Sequence, residues 1–213
     1  AAILSKTFRK VIGVDINDKT IETINKGNIH IEEPGLEEAV NKAVKSGLLS
    51  AQLEPTKADI FIIAVPTPFN KKKGEIPAPN ITYVLDAVNS ICNVIQEDNL
   101  ILLESTCPVG TTKKIGELIT EKTSMGIDKI HIAYCPERVL PGQILKELIT
   151  NDRVIGGLTN TSTERGKNFY QSFCQGKLFA TNAKTAELVK LTENSFRDVN
   201  IAFANEISLV CDS

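Results

Sequence analysis

The stretch DIFIIAV at residues 59–65 decides the fold, because it is an apolar run rich in β-branched side chains. Apolar residues fill both alternating sets of positions, which predicts a strand buried on both faces, as in the centre of a parallel sheet. Pro66 and Pro68 follow directly and end the strand, since proline has no backbone N–H to donate to a sheet. The pattern favours an α/β protein with a covered sheet.

Strands alternate with helices on both sides of this stretch. Further strands are predicted at residues 10–15, 100–103, 130–134, 153–155 and 178–180. Helices are predicted between them, at residues 1–8, 17–27, 36–44, 80–95 and 163–174, with another beginning at Thr111 or Thr112. A polar loop is expected around Lys71, Lys72 and Lys73. This alternation predicts a Rossmann-like, doubly wound parallel sheet with right-handed crossovers.

The C-terminal segment has a different character. Residues 183–213 contain neither glycine nor proline, and apolar side chains recur throughout them. The pattern predicts one helix of about 30 residues, well above the mean length for globular proteins. Long helices of this kind link domains or form oligomer interfaces, so a second domain is expected after this helix.

Composition excludes several classes of protein. Lys and Arg number 24 against 26 Asp and Glu, so the net charge of −2 argues against a strongly basic nucleic-acid-binding protein. The longest strongly apolar run, residues 60–65, is far too short to span a bilayer, and no membrane partner is expected. The five cysteines are scattered without CxxC spacing, and the two histidines lie far apart. These patterns argue against a metal site or a disulfide scaffold and favour a reducing cytoplasm.

Asp15 is the first residue with candidate chemistry, because it ends the strand predicted at residues 10–15. In open α/β sheets the ligand lies at the carboxyl ends of the strands. An acid at this place accepts hydrogen bonds from ribose hydroxyls and repels a 2′-phosphate, which favours NAD over NADP. A turn or helix-capping role for Asp15 is equally open from the sequence alone.

Two further loops follow predicted strands. Thr67 lies between two prolines that would hold its hydroxyl at the sheet edge, within reach of a cofactor; a rigid end to the strand is the alternative. The loop ESTCPVGTT at residues 104–112 places hydroxyls and a glycine before a helix, which suits an anion or cofactor, with ordinary helix capping as the alternative. Cys107 in this loop has no nearby histidine, which favours packing over a nucleophilic role.

Charged residues mark the last candidate positions. Glu137 and Arg138 follow a predicted strand and suit a charged, hydroxylated substrate, with an exposed ion pair as the alternative. Lys190, Asn194 and Arg197 stand at i, i+4 and i+7, so they share one face of the long helix. Polar groups stacked in an otherwise apolar helix are costly unless they meet a ligand or solvent. Both a binding face and a solvated face remain open.

Together these segments resemble the UDP-glucose/GDP-mannose dehydrogenase family. They occur in the family's order and spacing over nearly all of the chain: VD at residues 14–15, VPTP at 65–68, STCPVG at 105–110, CPER at 135–138 and AELVKLTEN at 186–194. Each segment is weak alone, and jointly they are highly specific. PERVLPG at residues 136–142 and the stretch at residues 193–206 look most like the members that act on UDP-N-acetylmannosamine.

The resemblance implies an NAD-dependent enzyme that oxidises the primary alcohol of a UDP-sugar twice, to a carboxylate, for surface polysaccharide synthesis. It also implies the catalytic roles. Lys190 and Asn194 line the developing oxyanion, and Lys190 donates or accepts the proton. Glu137 and Thr106 position the water.

Binding contacts are likewise implied by the resemblance. Asp15, Thr67 and Thr106 resemble the NAD contacts. The residues that resemble the substrate contacts are Arg138, Val139 through its backbone, Lys190, Asn194 and Arg197. A homodimer through the long helix is expected.

The resemblance implies a division into domains. Residues 1–182 form an NAD-binding domain, residues 183–213 begin the long central helix and dimerisation domain, and a UDP-binding domain is expected further on. The first strand and glycine-rich loop are expected before Ala1, and the family's catalytic cysteine after residue 213. The five cysteines present are therefore expected to be bystanders, and these 213 residues alone to be inactive.

One further departure and two other functions complete the prediction. Pro141 stands where UDP-glucose enzymes carry a second glutamate. This difference puts the role of a second acid in positioning water in doubt, and it matches the N-acetylmannosamine branch.

The first alternative function is a one-step NAD(P)-dependent hydroxyacid dehydrogenase with a similar two-domain arrangement. The second is a non-catalytic module that senses NAD.

Overall fold

The computed structural model describes residues 1–8, 10–70 and 76–212. The strands are β1 (Val11–Val14), β2 (Leu49–Gln52), β3 (Ile60–Ile63), β4 (Phe69–Asn70), β5 (Ala78–Pro79), β6 (Leu100–Leu103), β7 (His131–Tyr134), β8 (Arg153–Gly157) and β9 (Leu178–Asn182). The helices are α1 (Asp18–Asn25), α2 (Leu36–Lys45), α3 (Thr82–Ile91), α4 (Thr111–Thr123), α5 (Ile144–Thr150), α6 (Asn160–Gln171) and α7 (Ala183–Cys211). The loop predicted at Lys71, Lys72 and Lys73 lies outside the described residues.

The central sheet has five strands in the order β3-β6-β7-β8-β9. β3, β6 and β7 are parallel, with Ile60 opposite Leu100 and Leu100 opposite His131. β8 runs antiparallel to β7 and parallel to β9. β1 and β2 form a separate parallel pair, and β4 and β5 a short antiparallel pair. The predicted α/β fold with a mainly parallel sheet is confirmed, and the pairing of β8 with β7 is the antiparallel exception within the five-stranded sheet.

The direction of β8 follows from the connection before it. β7 ends at Tyr134 and β8 begins at Arg153, and the helix between them, α5, has only seven residues. The side-chain amide of Asn151 donates to the carbonyl of Arg138 at 2.7 Å, which joins the two ends of this connection. The chain therefore stays at the edge where β7 ends and enters β8 from that edge. A parallel strand would instead require a crossover to the opposite edge.

Helices cover both faces of the central sheet. β6 and β7 are buried at every position. Ile101 and Leu103 pack with residues of α3 and α4, whereas Leu100 and Leu102 pack with residues of α6. Successive side chains of a strand point to opposite faces, so in a sheet covered on both sides neither set of positions in the central strands faces solvent. This burial explains the continuous apolar runs in the sequence.

The N-terminal segment and several short elements differ from the prediction. Residues 1–8, predicted as a helix, form turns that include a single 3₁₀ turn at Leu4–Lys6. Phe8 stacks on Phe169 of α6 with ring centroids 5.4 Å apart, so tertiary packing holds this segment in place. The sequence does not predict β2, the β4-β5 pair or α5. The strands β4 and β5 have two residues each and α5 has seven, too few to show a clear period, and β2 (LSAQ) lacks the β-branched apolar run of the strands that the sequence does predict.

The predicted long helix is confirmed as α7, which has 29 residues. The side chain of Asn182 caps it by accepting a hydrogen bond from the backbone N–H of Thr185 at 3.0 Å. Ala183, Ala186 and Glu187 are buried, whereas the described side chains from Asn194 onward are exposed. In the described part of the chain, no helix is both long and apolar enough to cross a membrane.

The path of α7 depends on the direction of β8 and β9. Because β9 is parallel to β8, it ends at the edge of the sheet opposite to the end of β7. α7 begins directly after β9 and packs on β7 and β8 and against α4. The helix therefore runs back across the sheet and reaches the edge where β3, β6 and β7 end.

Gly156 in β8 tests this packing. A Cβ atom there would collide with the backbone of Asn182 and Ala183 at the start of α7. We expect Gly156→Ala to lower the free energy of unfolding by about 1–3 kcal/mol, the usual cost of overpacking, as measured by chemical denaturation. Gly13→Ala is the control, since its Cβ would meet Ala51 at an ordinary 3.8 Å. Equal stability of the two variants would contradict the packing.

Candidate functional site

Three predicted site residues follow neighbouring strands of the central sheet. Thr67 lies four residues after β3, Thr106 three residues after β6, and Glu137 three residues after β7. These three strands are adjacent and parallel, so their carboxyl ends meet at one edge of the sheet. The structure thus brings the three loops to the edge that α7 approaches.

Hydroxyl groups tie the first two loops together. Thr67 Oγ1 donates to the backbone carbonyl of Thr106 at 2.6 Å. Ser105 Oγ accepts from the backbone N–H of Val65 at 2.9 Å and donates to the carbonyl of Val65 at 2.8 Å. The loops after β3 and β6 are therefore held in register by their own side chains. Thr67 and Thr106 are both half-buried.

A buried carboxylate occupies the N-terminus of α4. Glu187 Oε2 accepts from Gly110 N at 2.6 Å, and Oε1 accepts from Thr112 N at 2.7 Å and from Thr112 Oγ1 at 2.6 Å. The sequence left open whether an anion or cofactor, or ordinary helix capping, explains this helix start, and in the structure the chain's own Glu187 caps it. Sequence reasoning missed Glu187 because its partners lie 75 and 77 positions away.

Lys190 reaches the loop after β7. Its Nζ donates to the backbone carbonyl of Glu137 at 2.7 Å. Burial lowers the pKa of Lys190, Glu193 opposes that shift, and the nearby positive charges of Arg197 and Arg138 add to it. The structure therefore places an amine with a lowered pKa at the sheet edge.

Glu137 and Arg138 do not pair their charged groups with each other. Glu137 Oε1 accepts from the backbone N–H of Arg138 at 2.7 Å, and Oε2 lies 3.3 Å from Nη2 of Arg153. The Arg138 guanidinium pairs instead with Glu193 on α7, at 2.5 Å. Arg153 is only 2% exposed and lies over the ring of Tyr170, 4.8 Å from its centroid. This buried partner of Glu137 was absent from the sequence prediction, because position 153 shows only as part of a strand.

The loop that carries Arg138 and Val139 is fixed by a second buried carboxylate. Glu33 Oε2 accepts from Gly142 N at 2.8 Å, and Oε1 accepts from Ile144 N at 2.7 Å. Gly142 has a φ of 87°, a conformation that favours glycine. Val139 is half-buried in this loop. Sequence reasoning also missed Glu33, whose partners lie more than 100 positions away.

The remaining predicted residues lie further out. Asp15 follows β1, in the two-stranded sheet, and its Oδ1 accepts from the backbone N–H of Asn17 at 2.8 Å. That contact is the turn role which the sequence left open, and the Asp15 side chain remains exposed. Asn194 and Arg197 are exposed on α7, one and two turns beyond Lys190.

The cysteines at this edge are poor nucleophiles. Burial raises the pKa of the Cys107 thiol and of the Cys135 thiol to about 12. All five cysteines are unpaired. The interpretation of Cys107 as a packing residue agrees with its place in the hydrophobic core.

The fold and this edge together define a class of protein. Doubly wound sheets bind nucleotides at the carboxyl ends of their strands. Here that edge carries hydroxyl groups, an amine and guanidinium groups, and an exposed carboxylate follows β1. A carboxylate suits ribose hydroxyls as an acceptor, so the side chains present fit a dinucleotide. The class is a dinucleotide-binding domain of a dehydrogenase.

Comparison with known proteins identifies the family within this class. The family model for the NAD-binding domain of UDP-glucose/GDP-mannose dehydrogenases matches residues 1–174, and the model for the family's central domain matches residues 184–213. The chain belongs to the UDP-glucose/GDP-mannose dehydrogenase family, as the sequence predicts, and carries its NAD-binding domain.

Curated proteins similar to this chain include two dehydrogenases that are named for N-acetylated sugars. The UDP-N-acetyl-D-mannosamine dehydrogenase of Campylobacter jejuni is 50% identical over 100% of this chain and 53% of its own length. The NDP-N-acetyl-D-galactosaminuronic acid dehydrogenase of Ralstonia solanacearum is 46% identical over 100% of this chain and 51% of its own length. The chain thus spans about half the length of the curated relatives it matches.

Among solved structures, the UDP-N-acetyl-mannosamine dehydrogenase of Staphylococcus aureus has a TM-score of 0.91. It is 43% identical, and the match covers 99% of this chain and 51% of that one. The GDP-mannose dehydrogenase of Pseudomonas aeruginosa has a TM-score of 0.87 at 26% identity, with 97% of this chain and 48% of that one covered. The fold is therefore shared across members named for different sugars.

Alkylation tests the state of the buried thiols. With a pKa of about 12, only about one thiol in ten thousand is ionised at pH 8, so Cys107 and Cys135 are expected to resist iodoacetamide in the folded protein. The control is the same protein unfolded in urea, in which both thiols are expected to react. Peptide mass spectrometry measures each site, and rapid labelling of folded Cys107 would count against its packing role.

Proposed function

We propose that the full-length protein oxidises the primary alcohol of UDP-N-acetylmannosamine to the uronic acid, in two NAD-dependent steps. The product would serve as a precursor of surface polysaccharide. The observation that carries this proposal is Lys190, an amine of lowered pKa on α7 in contact with the loop after β7. The name of the 50% identical relative supports the choice of sugar.

Lys190 suits the proton transfer in this reaction. An alcohol that loses a hydride must also lose a proton, and a base is most effective when its pKa lies near the working pH. Burial lowers the pKa of Lys190 and so brings the neutral amine closer to neutral pH. Asn194, one turn along α7, carries an amide that can donate to an oxyanion. We assign these two residues to the reacting oxygen.

The loop after β7 suits the sugar nucleotide and the water. We assign Arg138, the backbone of Val139 and Arg197 to the sugar nucleotide, because its diphosphate is negative and a guanidinium group can pair with it. The Glu137 carboxylate is fixed by the Arg138 N–H and by Arg153. A carboxylate held in this way can orient a water molecule, and we assign that role to Glu137 together with Thr106.

The cofactor contacts are assigned to the strand ends. NAD, when bound, supplies the acceptor for the hydride. We assign Asp15 to the adenosine ribose, because its carboxylate accepts hydroxyl donors and repels a 2′-phosphate. Thr67 donates its own proton to Thr106 O, so its oxygen is available as an acceptor, and we assign Thr67 and Thr106 to the remaining contacts.

We propose that residues 1–182 form the NAD-binding domain and that residues 183–213 begin the long central helix. The separate family models at residues 1–174 and 184–213 support that division.

We also propose a homodimer through α7, because apolar side chains such as Phe196, Val199 and Phe203 are exposed on it. Sedimentation equilibrium of the full-length protein tests the dimer. The unpaired cysteines support a place in the reducing cytoplasm.

Product stoichiometry tests the function. The full-length protein is expected to form two NADH for each UDP-N-acetylmannosamine, measured by absorbance at limiting sugar. One NADH per substrate would instead indicate a hydroxyacid dehydrogenase, and NAD binding without turnover a sensing module. Absence of NADH formation with every UDP-sugar would overturn the proposal.

Replacement of Lys190 tests the assigned base. Lys190→Ala is expected to lower kcat by about 10²- to 10³-fold, the usual loss for a group that stabilises the transition state. The control is Lys184→Ala, because Lys184 is exposed on the first turn of the same helix. A pH profile adds a second readout: kcat should rise with pH as Lys190 loses its proton, and the midpoint of that rise should lie below the pKa of an unperturbed lysine. A Lys190→Ala enzyme as active as Lys184→Ala would refute the assignment.

Asp15 determines the cofactor preference in this proposal. Asp15→Asn is expected to raise KM for NAD by about 10- to 100-fold, since hydrogen bonds to a charged group contribute about 1.5–3 kcal/mol. The same variant should improve the use of NADP, because the repulsion of the 2′-phosphate is removed. Asp18→Asn, at the exposed start of α1, is the control. An unchanged ratio of NAD to NADP use would exclude Asp15 from the site.

A further inference from the structure

The same arrangement of hydrogen bonds occurs at two loops of the candidate site. Glu187 accepts from the backbone N–H groups of Gly110 and Thr112, and Glu33 accepts from those of Gly142 and Ile144. In each case the two oxygens of one carboxylate take N–H groups two residues apart, beside a helix start and a glycine of positive φ. We call each arrangement a carboxylate clamp.

The Glu187 clamp joins the loop of Thr106 to the helix of Lys190. Gly110 ends the loop that begins after β6 and contains Thr106. Glu187, Lys190 and Asn194 stand at i, i+3 and i+7, so they lie along one face of α7. The hydrogen bonds of Glu187 therefore fix the axial position and the rotation of α7 relative to the loop that contains Thr106.

We propose that Glu187 is a positioning residue for the reaction, which holds the Thr106 loop and the Lys190–Asn194 face in productive register. The inference rests on the proposed function of the site. Glu187 is fully buried and accepts three hydrogen bonds, one of them from the hydroxyl of Thr112. The partial positive charge of the α4 N-terminus adds to these contacts. Such a group is fixed more firmly than an exposed side chain, and small shifts of reacting groups are costly.

The geometry predicts which substitutions break the clamp. In Glu187→Gln, the amide NH2 would face a backbone N–H, so one acceptor becomes a donor and a buried contact is lost. Thr112→Val removes only the hydroxyl donor and keeps the shape of the side chain, while Thr112→Ser keeps the hydroxyl. These variants separate the hydrogen bonds from packing.

Steady-state kinetics of the full-length protein test the proposal. Glu187→Gln is expected to lower kcat by about 10- to 100-fold, because misplaced groups lose that much, while KM for the sugar nucleotide changes by less than about threefold. Thr112→Val should shift kcat in the same direction by a smaller factor, and Thr112→Ser should restore it. Glu33→Gln is the matched comparison: it releases the loop of Arg138 and should raise KM for the sugar nucleotide instead.

Hydrogen exchange supplies a readout that does not need turnover. The amides of Gly110 and Thr112 are expected to exchange at least about tenfold faster in Glu187→Gln than in the wild-type protein. The control is Glu117→Gln, an exposed carboxylate on α4 that should leave exchange and kinetics unchanged. If Glu187→Gln fails to fold, Thr112→Val carries both measurements.

The outcomes separate this proposal from the function on which it rests. A wild-type protein that forms no NADH overturns the proposed function, and unchanged exchange in the variants then overturns the clamp as well. Wild-type activity with folded variants that keep the wild-type kcat overturns the positioning role alone. A fall in thermal stability with kcat and KM unchanged would mean that Glu187 is purely structural, which also overturns it.

Discussion

The connection between β7 and β8 stays at one edge of the sheet, and the arrangement of the candidate site depends on that constraint. Asn151 bonds back to Arg138, so β8 starts where β7 ends and runs antiparallel to it. β9 then ends at the far edge, and α7 must cross the sheet again. This second crossing brings Lys190 to the loop after β7.

Buried carboxylates at this edge are compensated by directed hydrogen bonds, whereas the buried Arg153 guanidinium is bonded to the described residues only through Nη2. Glu187 and Glu33 each take paired backbone N–H groups, and Arg153 pairs with Glu137. A buried charge without a partner is unstable in a medium of low dielectric constant, so each such group requires its partners in place. The loops at the edge, which carry Thr106 and Arg138, are therefore held by electrostatic contacts as well as by apolar packing.

Much of the fold was predictable because its signals are local. The apolar run of β3, the continuous burial of β6 and the uninterrupted pattern of α7 each lie in one stretch of sequence. The candidate residues Thr67, Thr106, Glu137 and Lys190 were found for the same reason, since they follow strands or share a helix face. Short elements such as α5 were missed, because seven residues show hardly two turns of a helical period.

The sequence by itself determined the class of fold, the family, and which residue types stand at the ends of the strands. Hydrophobic periodicity and the order of motifs can be read from the order of residues along the chain, without the folded structure. Only the tertiary structure decided the direction of β8, the buried partners Glu187, Glu33 and Arg153, and the lowered pKa of Lys190. Each of these depends on groups far apart in the chain, and their burial and electrostatic energies exist only after the chain has folded.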